Sequence, residues 1–438
     1  MTRRILAATA ALQLALADLA FAQAGGGSSG FGGGGGGGGG FSGGGSSGSG
    51  SGEGDPIVVA IFFAVFGLLV VWLLVKSVLY RRKVRERVEQ VERASAEAAE
   101  DDSYFASDAI ERDGEALFRS AQRAWDARDR AQLAELVGED LMVEWNRRLD
   151  DFDRKGWHNR VAVLDEPNVQ YVGLTNREDD SEDRAVLRIE AKLKSYVVTK
   201  DGTTIQRKGK SSDTVSLTEY WTLARRNGRW VVVSIEQRSE GDHQLDAEIV
   251  ASPWAGQRIA DEALTEVAVA DQLPEGFKTA DLADFAFEDD ARAKALDLSL
   301  ADARFGPDLL EAAARRAVEA WAEAVDGEDT PLERMAGREA IDQLLYGGDA
   351  SRRTRLVVRG ARVRQIRILA VDVEAEPAAM TVEVELGGRR YVEDRDTAAV
   401  VSGSKDRATT FTEHWRLVLA GPDDAPWQLV AAGAAHPA

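Results

Sequence analysis

The chain has 438 residues, 54 Lys+Arg against 74 Asp+Glu, a formal net charge of −20 and no cysteine. That length admits two or three domains, the negative balance argues against nucleic-acid binding, and the missing thiols remove disulfides, thiolate metal sites and cysteine nucleophiles. Four histidines lie far apart in sequence, so no metal site and no cofactor is expected.

Residues 1–24 read as a signal peptide. Arg3 and Arg4 precede an apolar run that ends in the small-x-small triplet Ala22-Gln23-Ala24. Retention as an uncleaved first anchor is the alternative. Residues 25–54 hold 20 of the 42 glycines. So little apolar surface cannot offset the ordering entropy, which predicts a disordered Gly/Ser-rich segment.

A transmembrane helix is expected over 56–79. Ile57 to Val75 are 19 consecutive uncharged residues. At ~1.5 Å per residue they nearly match a ~30 Å hydrocarbon core. The cations that follow place the C-terminal side in the cytoplasm and the N-terminus outside, across the cell (inner or plasma) membrane. Residues 80–103 read as a basic juxtamembrane helix in which Val84, Val88 and Val91 form a short stripe. Three readings stand open: Arg81, Arg82, Lys83, Arg85 and Arg87 rest on anionic lipid, the valines start a coiled-coil stalk, or the helix is a solvated extension. In this reading the helix holds an acidic body away from the bilayer.

The remaining chain contains one pattern twice. Leu217-Thr-Glu219-Tyr-Trp221-Thr-Leu223 matches Phe411-Thr-Glu413-His-Trp415-Arg-Leu417, and each is followed by a second Trp strand, at Trp230 and Trp427. The Ala-Trp pairs ending at Trp125 and Trp321 repeat at a similar offset. Each unit reads helices first, interrupted near Asp126–Asp129, then strands. Ala185, Leu187, Ile189, Ala191 and Leu193 alternate with charged residues, and Asn227-Gly228 suits a type I′ hairpin. Helices followed by antiparallel strands argue for an α+β fold.

Ala124, Trp125, Asp129, Thr218, Glu219, Trp221, Leu223, Arg225, Trp230, Val232, Ile235 and Gln237 together resemble the bacterial Tim44-like domain, well over about 104–240. A diverged second copy is expected at 301–438, where Asn-Gly is replaced and the Ile-x-Gln ending is lost. The resemblance implies two NTF2-like cone domains, each with helices in the hollow of a curved antiparallel sheet around a pocket. Such domains could pair with each other or with another chain. Residues 241–300 form an acidic connector, either a docking segment for a partner or a solvated linker.

Strand alternation puts Glu219 on the apolar face of Leu217 and Trp221. A carboxylate there is a pocket acid, is bonded to an Arg or an indole N–H, or is exposed at the pocket mouth. Duplication as Glu413 favours the second reading. Glu219, Trp221, Trp125, Trp230, Glu413, Trp415, Trp321 and Trp427 are the candidate pocket residues, with core packing as their other role. No catalytic set stands out. The expected function is a non-enzymatic, membrane-anchored cytoplasmic adaptor that binds an unidentified protein client or a lipid-like ligand. The family's namesake makes membrane protein transport or assembly a suggestion. The alternatives are a ligand or lipid sensor using the cone, and an isomerase or hydrolase using the pocket Glu.

Overall fold

The computed structural model describes residues 56–205, 213–252, 283–422 and 426–434, and only the backbone of residues 56–69, 289 and 434. The expected signal peptide and Gly-rich segment lie outside the described residues. Helix α1 (Pro56–Asp101) runs unbroken from the apolar stretch into the basic one. Among the described residues no helix is long and apolar enough to cross a membrane. The part of α1 that is described with side chains leaves Val70 to Val75, Val78 and Leu79 exposed.

The first half then builds α2 (Ser107–Ala127), α3 (Arg130–Leu136) and α4 (Glu139–Lys155). The expected interruption is a cap-to-cap junction. Arg128 ends α2 at φ 58, and the Asp129 carboxylate accepts from the Gln132 amide to start α3. Gly156, at φ +67, ends α4 in the left-handed region. Strands β1 (Trp157–Val163), β2 (Asn168–Thr175), β3 (Arg184–Thr199), β4 (Thr204–Ile205), β5 (Thr214–Arg226) and β6 (Arg229–Gln237) follow. They form one antiparallel sheet in the order β1-β3-β5-β6, with β2 and β4 also on β3. Asn227 and Gly228 both take positive φ in the β5–β6 turn, as the Asn-Gly signal requires.

The second half repeats the order. Helices α6 (Asp289–Ser299), α7 (Pro307–Ala324), α8 (Thr330–Glu333) and α9 (Arg338–Tyr346) come first, after α5 (Arg238–Gly241) has closed the first half. Then β8 (Thr354–Asp372), β9 (Ala379–Asp394), β10 (Val400–Gly403), β11 (Thr409–Leu419) and β12 (Trp427–Ala434) form a sheet ordered β12-β11-β9-β8, with β10 also on β9. The long β8 takes the place that β1 and β2 share against β3. The short β7 (Asp284–Phe287) adds a parallel edge to it.

Each sheet packs one face on its helices. Phe118, Trp125, Trp145 and Trp221 occupy the first concave face, and Trp321, Trp415 and Trp427 the second; all are buried. The connector is narrower than expected. Val250 bonds with Leu174 and Asn176 beside β2, while β7 and α6 pack on β8. Its residues 253–282 lie outside the described ones.

Candidate functional site

The two carboxylates flagged by strand alternation sit inside, not at a pocket mouth. Glu219 is fully buried; its Oε2 accepts from the Trp221 indole at 2.9 Å and its Oε1 from the Gln237 amide at 2.9 Å. The register explains both bonds, because Trp221 follows two residues on along β5 and Gln237 is the cross-strand partner on β6. In the second half the Glu413 carboxylate accepts from the Trp415 indole at 3.2 Å, while its cross-strand partner is Ala434. Burial raises the Glu413 pKa against the opposing pull of the Trp415 bond and the Arg390 charge.

The other tryptophans are core. Trp125 meets Trp145 edge-on and donates to Asn159, and Trp321 packs on Trp415 at 5.9 Å. Trp230 and Trp427 each receive a T-shaped phenylalanine, Phe105 at 5.7 Å and Phe305 at 5.6 Å. These phenylalanines belong to matching short turns, Ser103–Phe105 and Ala303–Phe305, which the sequence pattern did not single out.

The basic helix departs from all three sequence readings. Val84, Arg87, Val91, Ser95 and Ala98 form its buried face, which packs on the first half. Val84 and Val88 join Val172, Val186 and Tyr220 from the outer face of the sheet. Arg87 donates to the Val172 carbonyl at 2.7 Å, and burial lowers its pKa to about 10. Arg87 therefore does not lie on a membrane surface as expected, and Lys83 pairs with Asp246 at 2.6 Å. Arg81, Arg82 and Arg85 remain exposed. Docking begins at Tyr80, whose hydroxyl lies 2.9 Å from that of Tyr220. The helix is thus not a spacer: the body starts where the apolar stretch ends.

Charged groups from the two halves meet in a buried seam that no sequence feature announced. Lys405 lies 2.9 Å from Glu240 and 3.0 Å from Glu393, Arg395 donates to Glu144 at 2.5 Å, and Tyr391 donates to Glu240 at 3.1 Å. Arg359 reaches Ser234 and Asp326. Two carboxylates share one ammonium at Lys405, and they separate accordingly. Burial opposes ionisation of Glu240, but Lys405 and Arg359 outweigh it and lower its pKa. Burial pushes Glu393 up to about 8, so Glu393 holds the proton near neutrality. Deeper in the seam, burial likewise opposes ionisation of Glu236, and the charges of His243 and Arg359 hold it down at about 2.

The family model of the Tim44-like domain matches residues 91–237. This stretch is a Tim44-like domain. It starts inside α1, at the buried Val91, rather than at 104. The match does not extend to 301–438. No curated protein matches the chain. Among solved structures, the intermembrane-space region of the chloroplast protein ARC6 is similar at 12% identity, over 29% of this chain and 95% of that one, with a TM-score of 0.24. An Ntf2-like protein involved in plasmid conjugation is similar at 10% identity, over 71% of this chain and 88% of that one, with a TM-score of 0.17.

An open groove of about 360 Å³ lies at the β1 edge of the Tim44-like domain's sheet. Arg128, Trp157, His158, Arg160, Tyr196 and Lys200 are among its lining residues. The edge itself is blunted. The Val161 amide donates to Asp126 at 2.8 Å, and Arg128 donates to the Trp157 carbonyl. A partner here would meet aromatic and cationic side chains, not a free strand.

Proposed function

We propose that the protein is a membrane-anchored scaffold whose Tim44-like domain holds a client protein at the cytoplasmic face of the cell membrane. The observation that carries this reading is the single helix α1. Its exposed apolar residues Val70 to Leu79 run directly into the turn where Tyr80 docks on Tyr220. Such a run of exposed apolar surface calls for a lipid cover, and the docking fixes the domain against its anchor. In this reading the apolar run spans the bilayer with its N-terminus outside. The second half is a diverged Tim44-like domain of NTF2-like ancestry that pairs with the first within the chain. The client surface is the groove beside Trp157 and Lys200. A cone ligand or pocket acid finds less support, since Glu219 holds the indole of Trp221 and the amide of Gln237.

Photo-crosslinking in cells that make the full chain tests this. A reactive residue at Leu73 should capture phospholipid, and one at Lys200 should capture one protein, identified by mass spectrometry, repeatedly. Release of the chain from membranes by alkaline carbonate overturns the anchor. An anchored chain with no reproducible Lys200 adduct overturns the scaffold.

A further inference from the structure

Glu236 on β6, His243 in the short turn Asp242–Leu245 and Asp326 after α7 converge across the seam, with one donor atom from each inside a 4.8 Å cluster. We propose that these three side chains form a divalent transition-metal site, of the zinc class, that joins the two halves of the chain.

The His243 Nε2 lies 2.7 Å from Glu236 Oε2 but 3.9 Å from Asp326 Oδ2. A proton on Nε2 satisfies Glu236 and leaves Asp326 beyond hydrogen-bond reach. A zinc ion at ~2.0–2.2 Å from each ligand spans ligand atoms about 3.4 Å apart in tetrahedral geometry, and up to ~4.2 Å apart when distorted. The Glu236–His243 edge must open and the His243–Asp326 edge must close, each by under about 1 Å, while the two carboxylate oxygens already lie within 4.8 Å of each other.

The second oxygen of each carboxylate is held by another donor, which turns Glu236 Oε2 and Asp326 Oδ2 toward His243. Glu236 Oε1 accepts from the Gln244 amide at 2.8 Å, and Asp326 Oδ1 accepts from Arg359 at 2.5 Å. Partners of this kind orient ligands and fix metal affinity. Gly360 N–H approaches Asp326 Oδ2 only weakly, at 3.4 Å. An imidazole with two carboxylates suits zinc, nickel or copper, whereas calcium and magnesium take oxygen ligands. The Arg359 cation offsets one carboxylate charge and so disfavours weakly held ions such as Mn²⁺, leaving the ions at the strong end of the affinity series.

A second His–Glu pair provides an internal control. His414 Nε2 lies 3.1 Å from Glu383 Oε2 on the second sheet, and this pair belongs to no three-ligand cluster among the described residues.

The test uses the purified full chain in mild detergent, stripped with a chelator and then titrated with Zn²⁺ alone. Calorimetry and elemental analysis should find one ion retained per chain, and Co²⁺ in its place should give the visible bands of a low-coordinate site. His243→Gln and Asp326→Asn should each weaken zinc binding by at least about tenfold, and His414→Gln should leave it unchanged. Circular dichroism checks the fold of each variant; should His243→Gln unfold, Asp326→Asn decides. A chain that retains no zinc overturns the proposal. So does retention that His243→Gln, Asp326→Asn and His414→Gln leave equally intact.

Discussion

The two halves of the chain place the same carboxylate on the same strand beside the same indole, and they differ in what the second oxygen meets. In the first half Gln237 supplies an amide to Glu219; in the second the strand partner of Glu413 is Ala434. What both halves keep is the Glu–Trp pair, with a T-shaped Phe–Trp contact on the neighbouring strand's tryptophan. Its retention marks it as a packing device of this sheet, since a buried indole N–H needs an acceptor and the strand offers one two residues away. What differs marks the softer copy. In the second half the acid lacks the cross-strand amide, and no match to the Tim44-like model extends there.

The largest effect that can break this comparison comes from removing the acids. Glu219→Ala removes the acceptor of the Trp221 indole and of one Gln237 amide hydrogen bond, each at ~1–3 kcal/mol, for a total loss of about 2–6 kcal/mol. Glu413→Ala strands one indole and should cost about half as much. Urea unfolding of the full chain in mild detergent measures both. Equal losses would mean that Gln237 contributes nothing and that the halves do not differ at this point. A smaller step sharpens the same contrast. Gln237→Ala removes the amide that the second half lacks, together with the Gln237 side-chain cap of α5, and the part of its cost that disappears when Glu219→Ala is already present, ~0.5–1.5 kcal/mol, belongs to the Glu219–Gln237 bond. Fully additive losses would show that the two residues do not act through one bond.

Much of this was legible in the residues, for a physical reason. Period-two alternation in β3 and β5 fixes which side chains share a face, so Glu219 and Trp221 had to lie together on the apolar side. Asp129 and Asn227-Gly228 act through their own backbone neighbours, and local chemistry of that kind reads directly from sequence. The valines of α1 gave only half the answer. A stripe of Val84, Val88 and Val91 says that one face is covered, and lipid, a second helix or a sheet would all satisfy it. The seam was illegible because its partners are joined by folding alone: Arg395 and Glu144 are 251 residues apart. His243 looked like one more polar residue in an acidic connector, with nothing nearby to bring Asp326 to mind.

The smallest effect concerns protonation of the second-half acid, and it tests that acid without removing a bond. Burial raises the Glu413 pKa above its unfolded value. A raised carboxyl pKa contributes stability that is fully present below the unfolded value, near 4.5, and is lost as pH rises through the folded value. Glu413→Gln keeps an oxygen for the Trp415 indole and cannot ionise. Relative to the parent chain, this variant should therefore gain stability as pH rises above about 4.5, by on the order of 1 kcal/mol for each unit by which the folded pKa is raised. Unfolding midpoints at pH 4, 5.5 and 7 (about the span of the titration) read the trend. A variant whose deficit is the same at all three would place Glu413 in contact with solvent or a cation strong enough to hold it ionised, and the second half would then be no softer than the first.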